Sequence, residues 1–208
     1  MNEIRVLIVE DEPLIAEDIA ATLRHADFAV SGIAYSKQEA LDKISSQVPD
    51  LALLDINLSG GMEGIEIAEE INRKYILPFV FLTSYADKQT LEKAKQTEPA
   101  GYIVKPFSEA SLYSTIEIAL YNYAQKMKAG YPEPQLEKIN RHLSSPISER
   151  EFEVLQMIYE GRPNKQICDS LFISLNTIKK HINNAYMKLD ASSRSTAIAR
   201  IRELMLHK

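Results

Sequence analysis

The 208-residue chain is 45% hydrophobic and 25% charged, ordinary values that exclude a disordered or fibrous class. At about 100–200 residues per domain it has room for one large or two small domains, and its single cysteine, Cys168, excludes a disulfide framework or a cysteine-built metal cage. Residues 1–127 hold 11 Lys and Arg against 20 Asp and Glu, and residues 128–208 hold 13 against 9, so an acidic half is joined to a basic half.

No apolar run approaches the ~18 residues that span a bilayer. The opening MNEIRVLIVEDE reaches acid within one strand's length and shows no small-residue cleavage site. The expectation is a chain that does not enter a membrane and works in a reducing compartment, a cytoplasm.

The first half alternates two patterns. Short apolar runs at Ile4–Val9, Phe28–Ala34, Leu51–Leu54, Phe79–Leu82 and Ala100–Val104 read as strands. Between them, apolar residues recur at helical spacing, as in Leu14/Ile15/Ile19/Leu23 and Ile67/Ala68/Ile71. Strands that are continuously Val, Ile and Leu are buried on both faces, which implies a parallel sheet. The expected fold over 1–125 is therefore α/β: a doubly wound, five-stranded parallel sheet. Right-handed crossovers then bring every strand-to-helix loop to the carboxyl edge of the sheet.

Glu10, Asp11 and Glu12 stand at the end of the first strand, Asp55 at the end of the third, Thr83 and Ser84 at the end of the fourth, and Lys105 at the end of the fifth. Four strands thus deliver polar groups to one edge. Clustered carboxylates repel one another unless a hard cation binds them, and Mg²⁺ accepts carboxylates together with water and phosphate oxygens. A carboxylate is also a phosphoryl acceptor, while a metal and a lysine offset the charge of the transferring group and a hydroxyl holds its oxygens.

Gly130, Pro132, Pro134 and Pro146 interrupt residues 126–146, which read as a linker with a short helix at Leu136–Leu143. Beyond it, over 147–208, only helical patterns follow, and they predict an all-α domain of four helices. Ser148 and Glu151 form a capping box ahead of the stripe Phe152/Leu155/Ile158/Tyr159. A short helix carries Ile167, Cys168 and Leu171, and Phe172–Ile173 make a tight connection. Ser174 caps a helix whose stripe is Ile178, Ile182, Ala185 and Leu189, and a last helix starts near Ser193. Two helices across a tight turn fit a helix-turn-helix. With Ile178 facing inward, Asn176, Lys180, Asn183 and Met187 fall on the outer face, flanked by Lys179, Asn184 and Lys188. Lysine and asparagine bond base edges and phosphates in a major groove.

The stretches VLIVEDEPLIAEDI, LALLDINLSGG, FVFLTSYAD and AGYIVKPF resemble the receiver domain of bacterial two-component response regulators. That resemblance implies a flavodoxin-like receiver with Asp55 as phospho-acceptor and a sensor histidine kinase as donor. It implies Mg²⁺ held by Asp11, by Glu10 through water, by Asp55 and by the Asn57 carbonyl. Thr83 becomes the switch hydroxyl, Lys105 the partner of the phosphoryl group, and Tyr102 the aromatic coupled to Thr83. Two departures stand out: Glu10–Asp11 replaces the usual pair of aspartates, and Ser59 replaces the usual proline in a loop one residue longer.

Residues 147–207, through ISEREFEVLQMIYEG, NKQICDSLFIS and NTIKKHINNAYMKL, resemble a LuxR-type helix-turn-helix domain of the NarL/FixJ-like group. The resemblance implies a recognition helix near Leu175–Leu189 on double-stranded DNA. Lys179, Lys180, Asn183 and Asn184 would face bases, and Asn164, Lys165, Asn176, Thr177, Lys188 and Arg194 would lie near phosphates. The implied protein is a phosphorylation-dependent transcriptional regulator that pairs as a homodimer through its last helix, and not an enzyme. An aspartyl-phosphate phosphatase would need a second acid two residues after its nucleophile, where Asn57 stands. The alternative is a DNA-binding regulator whose receiver answers to protein contact instead of phosphate. Asp190, where the family commonly has glycine, and Pro163, ahead of the scaffold helix, are local departures.

Overall fold

The computed structural model describes residues 3–26, 28–84, 88–128 and 130–206. The chain forms two compact units, Ile4–Leu120 and one built chiefly from Tyr121 onward.

In the first unit, strands β1 (Ile4–Val9), β2 (Phe28–Ala34), β3 (Leu51–Asp55), β4 (Phe79–Thr83) and β5 (Gly101–Val104) form one sheet in the order β2-β1-β3-β4-β5. All four pairings are parallel. Helices α1 (Pro13–His25), α2 (Lys37–Ser46), α3 (Glu63–Lys74) and α4 (Lys88–Gln96) supply the four crossovers, and α5 (Glu109–Lys128) follows β5. Successive strand residues face opposite sides. Val6 and Ile8, Leu51 and Leu53, and Val80 and Leu82 pack with Ile19 and Leu23 of α1 and Leu112 and Ile116 of α5. Leu7 and Val9, Ala52 and Leu54, and Phe79 and Phe81 pack with Ile44, Ile67, Ile71 and Ala94 of α2, α3 and α4. Because both faces are covered, the strands are largely continuous apolar runs instead of alternating.

The second unit is helical: α6 (Leu136–Asn140), α7 (Glu149–Tyr159), α8 (Asn164–Leu171), α9 (Leu175–Leu189) and α10 (Arg194–Leu206). The capping box of Ser148 and Glu151 is complete. Ile178, Ile182, Ala185 and Leu189 of α9 join Leu155 and Ile158 of α7 and Ile201 and Leu204 of α10 in one core. Residues 126–146, read as a linker, contain the end of α5 and all of α6, and Ile139 of α6 is fully buried in that same core. The Asn140 side chain donates to the carbonyl of Ile147 (2.9 Å) and accepts from its N–H (2.7 Å), which pins the approach to α7. A side chain bridging both backbone groups of one residue replaces a sheet ladder locally. Asp190 closes α9 in the left-handed region, φ 55°, the position for which an aspartate in place of glycine is the next tolerable choice.

No described helix is long and apolar enough to cross a membrane.

Candidate functional site

Parallel pairing extends past the strand ends and sets the positions of the polar residues there. Glu10 donates its N–H to Ala34 O (3.0 Å), Ile56 to Leu82 O (3.1 Å) and Lys105 to Thr83 O (2.8 Å). The residues flanking these bonds are therefore held as firmly as the sheet itself.

Lys105 Nζ lies 2.5 Å from Asp55 Oδ2 and 2.5 Å from Glu10 Oε2, so one ammonium bridges two buried carboxylates. Asp55 Oδ1 accepts the N–H of Asn57 (2.9 Å). Carboxylate oxygens of Glu10, Asp11 and Asp55 come within 4.8 Å of one another. An all-oxygen, all-anionic donor set with mixed burial suits a hard divalent cation that keeps part of its water shell. Burial raises the pKa of Glu10, as does the neighbouring charge of Asp55; the Lys105 bond opposes them only in part. Burial works against the Lys105 ammonium, but its bonds to Asp55 and Glu10 outweigh this, and its pKa lies above the ordinary value.

Thr83 Oγ1 is buried and has no hydrogen-bond partner among the described residues. A buried hydroxyl without a partner carries a desolvation cost that a hydrogen bond would offset. The Tyr102 ring packs on Phe81, centroids 5.8 Å apart. Its hydroxyl is likewise buried without a partner, and burial followed by the charge of Glu92 raises its pKa.

Two features of the pocket escape sequence reading. Ser59 donates its backbone N–H to Asp11 Oδ2 (2.9 Å) with φ at 50°. Proline, expected there by resemblance, has neither that N–H nor access to that φ. The change therefore supplies Asp11 with a donor and fixes how the acid faces its neighbours. Gly64, at the start of α3, lies directly against the end of β3. A Cβ on it would fall 1.9 Å from the carbonyl oxygen of Asp55. The only signal in the sequence was a glycine following a glycine-rich loop, which a turn explains equally well.

In the helical unit, Asn176, Lys180, Asn183 and Met187 are exposed on α9 as the 3.6-residue period requires, and Lys179 and Asn184 are half-buried at its margins. Thr177 is exposed, with its N–H and hydroxyl bonded to the Ser174 cap (3.2 and 2.9 Å), and Lys165 is exposed at the start of α8. Three expected phosphate neighbours sit differently. Asn164 is buried at the N-terminus of α8. Arg194 is only 6% exposed and donates to the carbonyls of Ile158 (2.9 Å) and Arg162 (2.8 Å), closing the C-terminal end of α7. Its guanidinium is committed to the interior, where no phosphate reaches it. Lys188 is paired with Glu151 at 2.6 Å.

Glu151 thus serves both the α7 cap and the Lys188 pair. Burial raises its pKa, but the Lys188 and Ser148 bonds prevail and hold it below the usual carboxylate value of 4.5. A lowered folded pKa contributes stability above the unfolded value, lost as pH falls through the folded one. Glu151→Gln keeps the capping geometry and removes the charge. It is expected to cost about 1–2 kcal/mol at neutral pH, with the difference from wild type vanishing under acid. Urea unfolding between neutral pH and pH ~3 checks this, and a pH-independent difference would refute it.

Comparison with known proteins gives two family matches: "Response regulator receiver domain" over residues 6–117 and "Bacterial regulatory proteins, luxR family" over 145–201. The chain is 31% identical to the transcriptional regulatory protein LiaR of Bacillus subtilis, over 93% of this chain and 94% of LiaR. It is 37% identical over 121 residues to the transcriptional regulatory protein PdtaR of Mycobacterium tuberculosis; that match spans 58% of each chain, little more than half of PdtaR. Among solved structures, the response regulator StyR is similar at 28% identity and a TM-score of 0.53, covering 96% of this chain and 98% of StyR. The signal receiver domain of a modulated diguanylate cyclase from Desulfovibrio desulfuricans G20 is similar at 34% identity and TM-score 0.56, over 60% of this chain and 99% of that one.

Proposed function

We propose, since the chain belongs to the response regulators that join a receiver domain to a LuxR-type DNA-binding domain, that phosphoryl transfer to Asp55 controls how α9 reads double-stranded DNA. The observation that carries this is the convergence of Lys105 on Asp55 and Glu10, with a buried Thr83 hydroxyl on the neighbouring strand end that has no partner among the described residues.

Asp55 is the nucleophile. One of its oxygens is oriented by the Asn57 N–H and the other by Lys105. An Asp55 oxygen forms a bond to phosphorus as the donor's bond to that phosphorus breaks, and the electron pair of the broken bond leaves with the donor's group, the imidazole of a histidine kinase or the carboxylate of a small acyl phosphate. Glu10, Asp11, Asp55 and the Asn57 carbonyl would hold Mg²⁺, whose contribution is to offset the negative charge gathered there. Lys105 then pairs with the phosphoryl oxygens, and Thr83 donates its hydroxyl to one of them, which ends the cost of its burial. Tyr102, on the neighbouring strand with its own hydroxyl unpartnered, transmits that change away from the pocket. The outcome is a homodimer in a cytoplasm, with two α9 helices on paired half-sites.

The reading is tested by selecting duplexes from randomised DNA with the full chain, before and after treatment with acetyl phosphate and Mg²⁺. Treatment should raise affinity and select an inverted repeat. A lost base-edge contact costs about 1–3 kcal/mol and relaxes preference at one position, whereas a lost phosphate contact weakens all sequences alike and lowers the salt slope by about one. Lys180→Ala and Asn183→Ala should show the first behaviour and Lys165→Ala the second. Unchanged base preferences in both α9 variants would mean that another face reads the DNA. Indifference to acetyl phosphate would favour control by protein contact.

A further inference from the structure

Phe172 is the most exposed large apolar residue among those described, at 93%, and it holds the left-handed backbone, φ 54°, at the C-terminal end of α8. Both facts run against stability. A phenylalanine gains nothing from a ring left in water, and a side chain with a Cβ is strained where glycine is not. The neighbours explain the turn without the ring: the N–H groups of Phe172 and Ile173 both close on the Cys168 carbonyl, the latter at 3.2 Å, and Ile173 packs toward the core. Glycine or asparagine would make the same turn at lower cost.

The position suggests what the ring is for. Two residues on, Ser174 caps α9, and exposed Asn176 and Thr177 follow in its first turn. A helix N-terminus flanked by hydroxyl and amide groups is a phosphate seat in a DNA-binding domain. Each phosphate is followed along the strand by a deoxyribose, whose carbon face is apolar. One exposed ring, whose apolar chain neighbours Leu171 and Ile173 are packed against the core, is too small for a protein interface, which needs a contiguous apolar core, yet it suffices to cover a sugar beside phosphate contacts. We infer that Phe172 packs against a deoxyribose of the bound duplex, adding affinity without sequence preference. This rests on the DNA-reading role proposed above.

The test compares wild type with Phe172→Gly and Phe172→Ala in the full chain treated with acetyl phosphate and Mg²⁺. The probes are the duplex selected by wild type and a scrambled duplex of equal length, over a salt series. Phe172→Gly should melt at or above the wild-type temperature while binding both duplexes about five- to tenfold more weakly. The ratio between the duplexes and the salt slope should stay at wild-type values, unlike a lost base contact or a lost phosphate contact. Phe172→Ala should bind as weakly as Phe172→Gly. Wild-type affinity in both variants overturns the inference, as does a lower melting temperature in Phe172→Gly or a change only in dimerisation, which would seat the ring in protein. If wild type itself prefers no duplex, the DNA-reading role falls first and this inference with it.

Discussion

Asp55→Asn takes up no phosphoryl group from acetyl phosphate and Mg²⁺ under conditions that label the wild type. The amide is close in shape to the carboxylate and still accepts the Asn57 N–H through its oxygen, but it has no anionic oxygen to attack phosphorus. Lys105 keeps Glu10 as its partner, so the pocket is not left with an unpaired ammonium. Stability therefore changes by only about 1 kcal/mol, while Mg²⁺ affinity, read by calorimetry, falls by at least about tenfold because one of three clustered acids has lost its charge. Intact-protein mass spectrometry reads the uptake directly. A labelled Asp55→Asn protein would move the acceptor to another residue, with Asp11 the first to examine.

Gly64→Ala should be the most damaging single methyl group in the receiver unit. Its Cβ would meet the Asp55 carbonyl oxygen at 1.9 Å, the Asp55 carbonyl carbon at 2.8 Å and Ile56 Cα at 2.9 Å, and all three are backbone atoms of the strand end that carries the acceptor. No side chain can swing aside, so either α3 lifts or the end of β3 shifts. Overpacking of this kind costs about 2–4 kcal/mol, which lowers the melting temperature by roughly 5–15 °C. The displaced Asp55 should also be labelled more slowly, by up to about a hundredfold for a misplacement of about 1 Å. Thermal melting with labelling kinetics checks both. A Gly64→Ala protein that melts and labels like wild type would show that α3 rides freely over β3.

Much of the pocket was readable from residue order. Asp55, Thr83 and Lys105 each follow an apolar run, and a parallel sheet has one carboxyl edge, so topology alone gathers them. The outer face of α9 was equally readable, because a stripe of Ile178, Ile182, Ala185 and Leu189 leaves Asn176, Lys180 and Asn183 only one place to go. Periodicity works in both cases because it is a local property of the backbone that tertiary packing then exploits.

The misplaced residues fail for a common reason. Arg194 looks from sequence like a cation available to phosphate, yet it closes the end of a helix that ended some thirty residues earlier. Lys188 of α9 meets Glu151 of the α7 cap, and Asn164 is covered by neighbours brought in by the fold. Ser59 acts through its N–H, a group every residue but proline carries, so no side-chain pattern announces it. Gly64 acts through the absence of a side chain against a strand eight or nine residues earlier, a contact that exists only once β3 and α3 are packed.

The sequence by itself therefore determined the α/β alternation, the acidic carboxyl edge with Asp55 on it, the helical second half and the outward face of α9, each a matter of local spacing. Only the tertiary structure decided which oxygen of Asp55 meets Lys105, that the Thr83 hydroxyl finds no partner among the described residues, that Arg194 and Asn164 turn inward, and that residues 136–140 belong to the helical core. Those outcomes depend on distances of a few ångströms between segments far apart in the chain, and burial, not residue type, sets what a polar group there can bind.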